Sequence, residues 1–286
     1  MVQGPGDRLL GCVRQRDCRS QYHTASKAHH CTNDFRGSDD LILSAWVLAA
    51  DNDGAEEGGG TPVALHASVD YPNDELVLEA GITHVDADFA PALGFVRRPG
   101  STKVRGEWRY RLYQPESDLV ERYFWSFRPT LYTNAGGDLE TLGTVTELFG
   151  VEFLSGDRIS LDLLHTVEDL SEGFDLPDDL TVDAGRYDTT RAGLKLRTAD
   201  RRELAAELEV FGGEFWDGTR TDYKLELDWR PGAWGSFELE LERNELRLDS
   251  GAVDVHVASL GADLAFTPDL SWQNVLQWDD VSEELQ

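Results

Sequence analysis

The sequence predicts an all-β protein, an antiparallel up-and-down meander of about 12–14 long strands. Three observations carry the prediction. Two-residue alternation recurs from about residue 40 to the end, as in Phe237-Glu238-Leu239-Glu240-Leu241-Glu242 and Tyr223-Lys224-Leu225-Glu226-Leu227-Asp228-Trp229. Successive side chains of a strand point to opposite faces, so each such run has one apolar and one charged face. Turn residues punctuate the runs at intervals typical of hairpins, and few stretches compete as helices.

The run Leu41 to Ala50 is strand-sized, opens the series at 40–50, and ends at Asp51-Asn52-Asp53-Gly54. Strands at 62–70 and 75–85 flank the turn Tyr71-Pro72-Asn73-Asp74. Next come 102–113, 121–133 and 139–154, the last separated from 158–168 by Ser155-Gly156-Asp157. A long polar connection, Ser171 to Gly185, precedes strands at 186–198 and 203–214. The Ala and Leu content of Asp200 to Val210 suits a helix, but Leu204, Ala206, Leu208 and Val210 alternate with Ala205, Glu207 and Glu209, which predicts a strand. Strands at 219–230 and 235–247 meet at Arg230-Pro231-Gly232, and those at 252–266 and 270–279 at Thr267-Pro268-Asp269.

About thirteen such strands exceed what an open twisted sheet extends comfortably, so closure or stacking is expected. In a soluble sandwich or barrel the apolar faces pack inward; in an outer-membrane barrel they meet lipid and the carboxylates line a polar lumen. Alternation alone fits both. Strand lengths near the ~9–11 residues of a tilted membrane strand favour the membrane. So do aromatics near strand ends, among them Trp46, Tyr113, Trp125, Tyr132, Trp229 and Trp272, and the alternation of short turns with long polar connections.

The 286 residues carry a net charge of −28, which repels a nucleic-acid backbone and argues against that partner. No apolar run approaches the ~20 residues of a membrane-spanning helix, and Leu9 to Val13 is too short for a secretory signal core. Residues 1–30 hold five Lys or Arg and two Asp, a balance of +3 that leaves −31 for the rest. With Cys31 they also hold all three cysteines and three of the seven histidines. The Cys12-to-Cys18 spacing fits no common zinc pattern, and residues 1–31 are expected to be an atypical leader, disordered or wrongly assigned, ahead of one β-barrel domain over 32–286.

No constellation predicts catalysis. The row Glu238, Glu240, Glu242 reads as a solvated or lumen-facing face, and His66, His84, His165 and His256 stand isolated on strands. The sequence has no nucleophile elbow, phosphate-binding glycine loop or dinucleotide fingerprint, so neither an enzyme nor a cofactor nor a metal site is expected. Asp51-Asn52-Asp53-Gly54 with Glu56 and Glu57 superficially resembles a calcium loop, but the glycine falls too early and the distant bidentate Glu is missing. Arg97 and Arg98 form a basic pair in an acidic chain and are the candidate contacts to an anionic lipid or glycan group, or else partners of lumen carboxylates. Trp216 and Trp234 are candidate aromatics for a membrane interface or for stacking on sugar.

The stretch Phe89-Ala90-Pro91-Ala92-Leu93-Gly94-Phe95-Val96-Arg97-Arg98-Pro99-Gly100 resembles a bacterial family. So, in order, do Asn33 to Gly37, Phe153 to Asp157, Gly213 to Arg220, Arg230-Pro231, Glu242-Arg243-Asn244 and Thr267 to Trp272. In that family a domain similar to the family 9 carbohydrate-binding modules precedes a C-terminal domain of unknown function (DUF 5916) that looks like an outer-membrane β-barrel. The resemblance covers nearly everything after residue 32 and implies a truncated, incomplete barrel, with the signal peptide and carbohydrate-binding-like domain expected upstream. It further implies a non-catalytic anchoring or transport role in the bacterial outer membrane, with lipid and carbohydrate as partners and glycan capture at the envelope. The alternative is a soluble all-β carbohydrate-binding or carbohydrate-processing accessory module, in which Trp216 or Trp234 would occupy a concave exposed face.

Overall fold

A computed structural model of the chain describes residues 14–23, 26–36, 40–52, 61–91, 95–176 and 180–280. The strands are β1 (Arg14–His23), β2 (Ser26–Arg36), β3 (Ile42–Asn52), β4 (Val63–Pro72), β5 (Leu76–Val85) and β6 (Ser101–Tyr113). They continue with β7 (Val120–Thr133), β8 (Leu139–Phe153), β9 (Arg158–Leu170), β10 (Phe174–Asp175), β11 (Thr181–Val182) and β12 (Gly185–Arg197). The series ends with β13 (Leu204–Phe215), β14 (Gly218–Gly232), β15 (Gly235–Leu248), β16 (Gly251–Thr267) and β17 (Leu270–Asp279). Fifteen of them form one meandering sheet in chain order, β1 to β9 and then β12 to β17, while β10 and β11 pair separately.

All thirteen expected strands are present, with ends displaced by a few residues. The stretch Asp200 to Val210 resolves as turn and strand: β13 pairs from Leu204 with β14, placing Leu208 opposite Leu225 and Ala206 opposite Leu227. Helix propensity yields here to pairing with β14 from Leu204 and with β12 from Glu207. Two further long strands, β1 and β2, lie where a leader was expected, and β2 runs through the expected boundary at residue 31. Neither shows the alternation that marks the later strands. Their strand state comes from backbone pairing, Cys18 opposite Cys31 within the hairpin and Cys31 opposite Val47 in β3. The short β10 and β11 lie inside the long polar connection, Ser171 to Gly185.

The chain divides into two compact units, Met1–Arg109 with Arg128–Thr141, and Tyr110–Phe127 with Leu142–Gln286. In the first, one face of β3, β4 and β5 is apolar, with Leu43 opposite Val69 and Val69 opposite Ala80, then Ala45 opposite Ala67 and Ala67 opposite Ile82. The other face carries Ser44, Ser68, Asp70 and a stacked Trp46–His66 pair, 5.5 Å between centroids. A small core of Ala50, Ala64 and Phe89, packed with Trp46, Leu48, Val85 and Val96, closes one end of these strands.

In the second unit two glycines admit aromatic rings across the sheet. A Cβ on Gly150 would overlap the ring of Phe124, and one on Gly193 the ring of Phe211. Arg158 lies 4.0 Å from the Phe124 centroid and Lys195 5.5 Å from that of Phe211, so each ring is covered by a cation.

Candidate functional site

The functional surface is built by the strand alternation itself. In the second unit one row runs from Ile159 through Leu196, Leu208, Leu225, Leu241 and Ala258 to Trp278, each residue directly opposite the next on successive strands. The adjoining row is Ala206, Leu227, Leu239, Leu260 and Leu276. This apolar face is the open one. Leu161 is 46 % exposed, Leu241 41 % and Leu260 46 %, whereas on the opposite face Asp162 is 3 %, Ser160 2 % and Glu147 8 % exposed. A water-soluble protein shields the apolar side of its alternation and wets the charged side. Here the order is inverted.

The shielded face is held by charge pairing. Lys224 Nζ lies 2.6 Å from Glu240, 2.7 Å from Glu226 and 3.3 Å from Glu242, so a single ammonium joins three carboxylates on two strands. Cross-strand register places Glu207 opposite Glu226 and Glu226 opposite Glu240, a like-charge row that is unfavourable without such a cation. Nearby, Lys195 meets Glu209 at 2.8 Å and Arg158 meets Glu147 at 2.5 Å, while Ser126 donates to the other Glu147 oxygen at 2.5 Å. Arg191 and Arg220 both engage Asp222. Of the expected row, Glu240 and Glu242 therefore belong to a wider network in which Lys224 is the hub, while Glu238 is exposed at its end. A polar hollow of about 200 Å³ opens among Glu147, Arg158, Ser160, Lys195, Arg197 and Glu207. Next to it, Asp162 Oδ1 is buried without a hydrogen-bond partner.

Each histidine expected to be isolated has a partner from a neighbouring strand or from the turn beyond β17. His66 Nδ1 contacts Thr83 at 2.8 Å, His84 contacts Thr102 at 2.8 Å and Asp86 at 3.2 Å, His165 contacts Thr190 at 3.2 Å, and His256 contacts Asp280 at 2.6 Å. Among the described residues no three His, Cys, Asp or Glu are grouped to hold a metal ion. The side chains of Cys12, Cys18, Cys31, His23, His29 and His30, and the stretch from Asp53 to Glu57, lie outside the described residues.

The two candidate tryptophans occupy different settings. Trp216, at the two-residue link between β13 and β14, donates Nε1–H to Glu168 at 3.0 Å and packs against Phe215 and edge-on to Phe174. Its φ of 48° is left-handed backbone, unusual for a bulky residue and held by these partners. Phe174 belongs to the connection carrying β10 and β11. That connection docks through Ser250, whose hydroxyl bonds Thr181 N at 3.1 Å and Thr181 O at 3.0 Å, and buries Leu180 and Val182 almost completely. Trp234 is 53 % exposed in the short link between β14 and β15. It packs edge-on to Phe237, which stacks on Trp229 at 5.2 Å, so the three rings form an aromatic patch at the end of the apolar face. In the sequence Trp216 and Trp234 stand alike as aromatics near strand ends; only side-chain packing separates them.

In the first unit Arg97 and Arg98 are exposed in the connection before β6. The Arg98 guanidinium stacks 4.3 Å from the Tyr132 centroid and donates to Thr141 Oγ1 at 3.2 Å. Lys103 lies 5.5 Å from the same ring. Lys103 was not singled out in the sequence; its two-residue offset from Arg105 on the charged face of β6 was the available signal.

No protein-family model matches the chain, and no curated protein does. Solved structures do. A variant of the ferric enterobactin receptor of Pseudomonas aeruginosa superposes with a TM-score of 0.51 at 9 % identity, covering 94 % of this chain and 52 % of that one. The ferric yersiniabactin uptake receptor of Yersinia pestis gives a TM-score of 0.41 at 11 % identity, covering 93 % of this chain and 55 % of that one. The chain thus spans about half the length of these structures. At such identity the likeness speaks to fold alone. Together with the antiparallel meander and the inverted faces, the first of these likenesses gives the chain the fold of an incomplete outer-membrane-type β-barrel.

Proposed function

We propose that this chain is the membrane-embedded part of a bacterial outer-membrane β-barrel with an anchoring or transport role and no catalysis of its own. One observation carries the reading: the exposed face is aliphatic and aromatic, while the opposite face buries Ser126, Glu147, Ser160 and Asp162 and holds the half-buried ion-pair network centred on Lys224. Lipid solvates the first face without cost, and a hydrated lumen solvates the second. In water the same surface would present apolar side chains across neighbouring strands, far beyond the scattered exposed leucines of soluble domains. The aromatic patch of Trp229, Trp234 and Phe237 has the composition of an interface girdle.

Glycan capture at the envelope is the finer part of the proposal. It is supported by the resemblance to proteins with a carbohydrate-binding-like domain. Transport is supported by the polar hollow among Glu147, Arg158 and Lys195.

The test is reconstitution of the full chain from denaturant into detergent and into lipid vesicles. Heat-modifiable β structure that co-floats with vesicles and resists alkaline extraction is the expected result. Brominated lipid should quench Trp229 and Trp234 strongly and Trp216 weakly. A monomeric, folded protein that ignores both detergent and vesicles would overturn the reading and bring forward the soluble carbohydrate module.

A further inference from the structure

Cations on this chain are scarce, 26 Lys and Arg against 54 Asp and Glu, and on the charged strand faces they are typically held by carboxylates. Arg105 meets Glu79 at 2.5 Å, Arg122 meets Glu152 at 2.5 Å, and Lys195 meets Glu209 at 2.8 Å. One cluster departs from this. Arg98 and Lys103 share the ring of Tyr132, at 4.3 and 5.5 Å from its centroid, which places the two charges within about 10 Å of each other. Among the described residues neither has a carboxylate in ion-pair contact, and Arg97, the residue preceding Arg98 in the chain, is exposed. In a chain with twice as many acids as bases, two cations on one ring without counter-ions constitute a local reversal of the surface field.

The alternation of β6 and β7 shows which side the cluster belongs to. On β6, Val104, Trp108, Tyr110 and Leu112 form one exposed apolar series, and Lys103 and Arg105 fall at the intervening positions. On β7 the apolar series is Tyr123, Trp125 and Phe127, so Tyr132 falls in the opposite series, with Phe124 and Ser126. Lys103 and Tyr132 are therefore at positions of the charged face, away from lipid.

We propose that Arg98 and Lys103, arrayed about Tyr132, form a binding site for a soluble solute bearing a phosphate-type dianion. Guanidinium donors fit a tetrahedral oxyanion in bidentate fashion, and an ammonium adds a point charge. Tyr132 fixes the Arg98 plane while leaving its other edges free. An anion there removes the repulsion between the like charges without displacing any internal ion pair. A lipid phosphate offers the same chemistry, but the cluster's side of the strands assigns the solute instead. That lumenal address rests on the barrel reading; anion binding does not.

The experiment titrates inorganic pyrophosphate into the detergent-folded full chain by calorimetry at two salt concentrations. It compares the parent with Arg98→Gln/Lys103→Gln and with Arg243→Gln, whose side chain is already paired with Glu245 and Asp254. The expected result is saturable, salt-weakened binding that the double substitution reduces about tenfold to a hundredfold and Arg243→Gln leaves unchanged. Retained heat-modifiability shows that the double variant has folded. Absence of binding by the parent, or equal binding by all three proteins, overturns the proposal. A parallel arm measures retention of phosphatidylglycerol in mixed micelles. If the double variant loses the lipid while the parent ignores pyrophosphate, the cluster is a headgroup site and the solute assignment fails. Pyrophosphate binding by a protein that does not enter vesicles would sink the barrel reading and leave the anion site standing.

Discussion

Leu241→Arg separates a lipid-facing strand from a water-facing one. Leu241 lies at the middle of the 14-residue β15, directly between Leu225 on β14 and Ala258 on β16. At a rise of about 3.4 Å per residue and a tilt near 40°, this strand covers about 36 Å along the membrane normal, so its midpoint falls near the bilayer centre. The side chain is 41 % exposed, so arginine meets no steric obstacle. If water were the solvent, the substitution would change stability by no more than about 0.5 kcal/mol, as at other exposed positions. If lipid is the solvent, a cation at the midplane costs about 2–4 kcal/mol, or about 30-fold to 1,000-fold in the folding equilibrium. The assay is guanidinium titration of the vesicle-folded chain, followed by tryptophan fluorescence, with the midpoint and slope fitted separately. Trp234→Arg, at the strand end, should cost no more than about 1 kcal/mol because it lies at the interface. A Leu241→Arg midpoint indistinguishable from the parent would refute the assignment of the apolar face to lipid.

Other perturbations address the charged face and the turns. Lys224→Met removes the cation shared by Glu226, Glu240 and Glu242 and should destabilise by about 2 kcal/mol; adding Glu240→Gln should restore part of that loss in the same titration. Gly193→Ala forces a methyl group into the Phe211 ring and should cost about 1–3 kcal/mol, relieved when Phe211→Leu is added, as read from the thermal transition of the heat-modifiable band. In the turn between β8 and β9, the Ser155 hydroxyl, the Ala199 N–H and Arg202 hold the Asp157 carboxyl below its ordinary range. A depressed folded value stabilises above the unfolded pKa of about 3.9, and that contribution disappears as pH falls through the folded value. Tryptic cleavage after Arg201 and Arg202 should therefore accelerate at the end of an acid pre-incubation series below about pH 4, and Asp157→Asn should cleave rapidly at every pH.

Particular residues show how far the sequence carried. Leu225, Leu239 and Leu241 announced strands through spacing alone, and Arg230-Pro231-Gly232 and Thr267-Pro268-Asp269 marked the ends of theirs, because turn chemistry is local. Arg14–His23 announced nothing, since its strand depends on a neighbour that pairs with its backbone. Arg97 and Arg98 were visible as a basic pair, but Lys103 and Tyr132 joined Arg98 only through the approach of separate strands. Lys224 looked like any charged residue of an alternating run until the register brought Glu240 and Glu242 beside it.

The sequence by itself determined the strands, their turns and the composition of the two faces, because a period of two is a property of neighbouring residues. It left open which face would be shielded, since a soluble sandwich and a membrane barrel share that period. Only the tertiary structure decided it. Curvature and cross-strand packing bury Ser126, Glu147, Ser160 and Asp162 and leave Leu161, Leu241 and Leu260 open. Shielding depends on which way strands bend around their neighbours, a collective property of the sheet that no local pattern encodes.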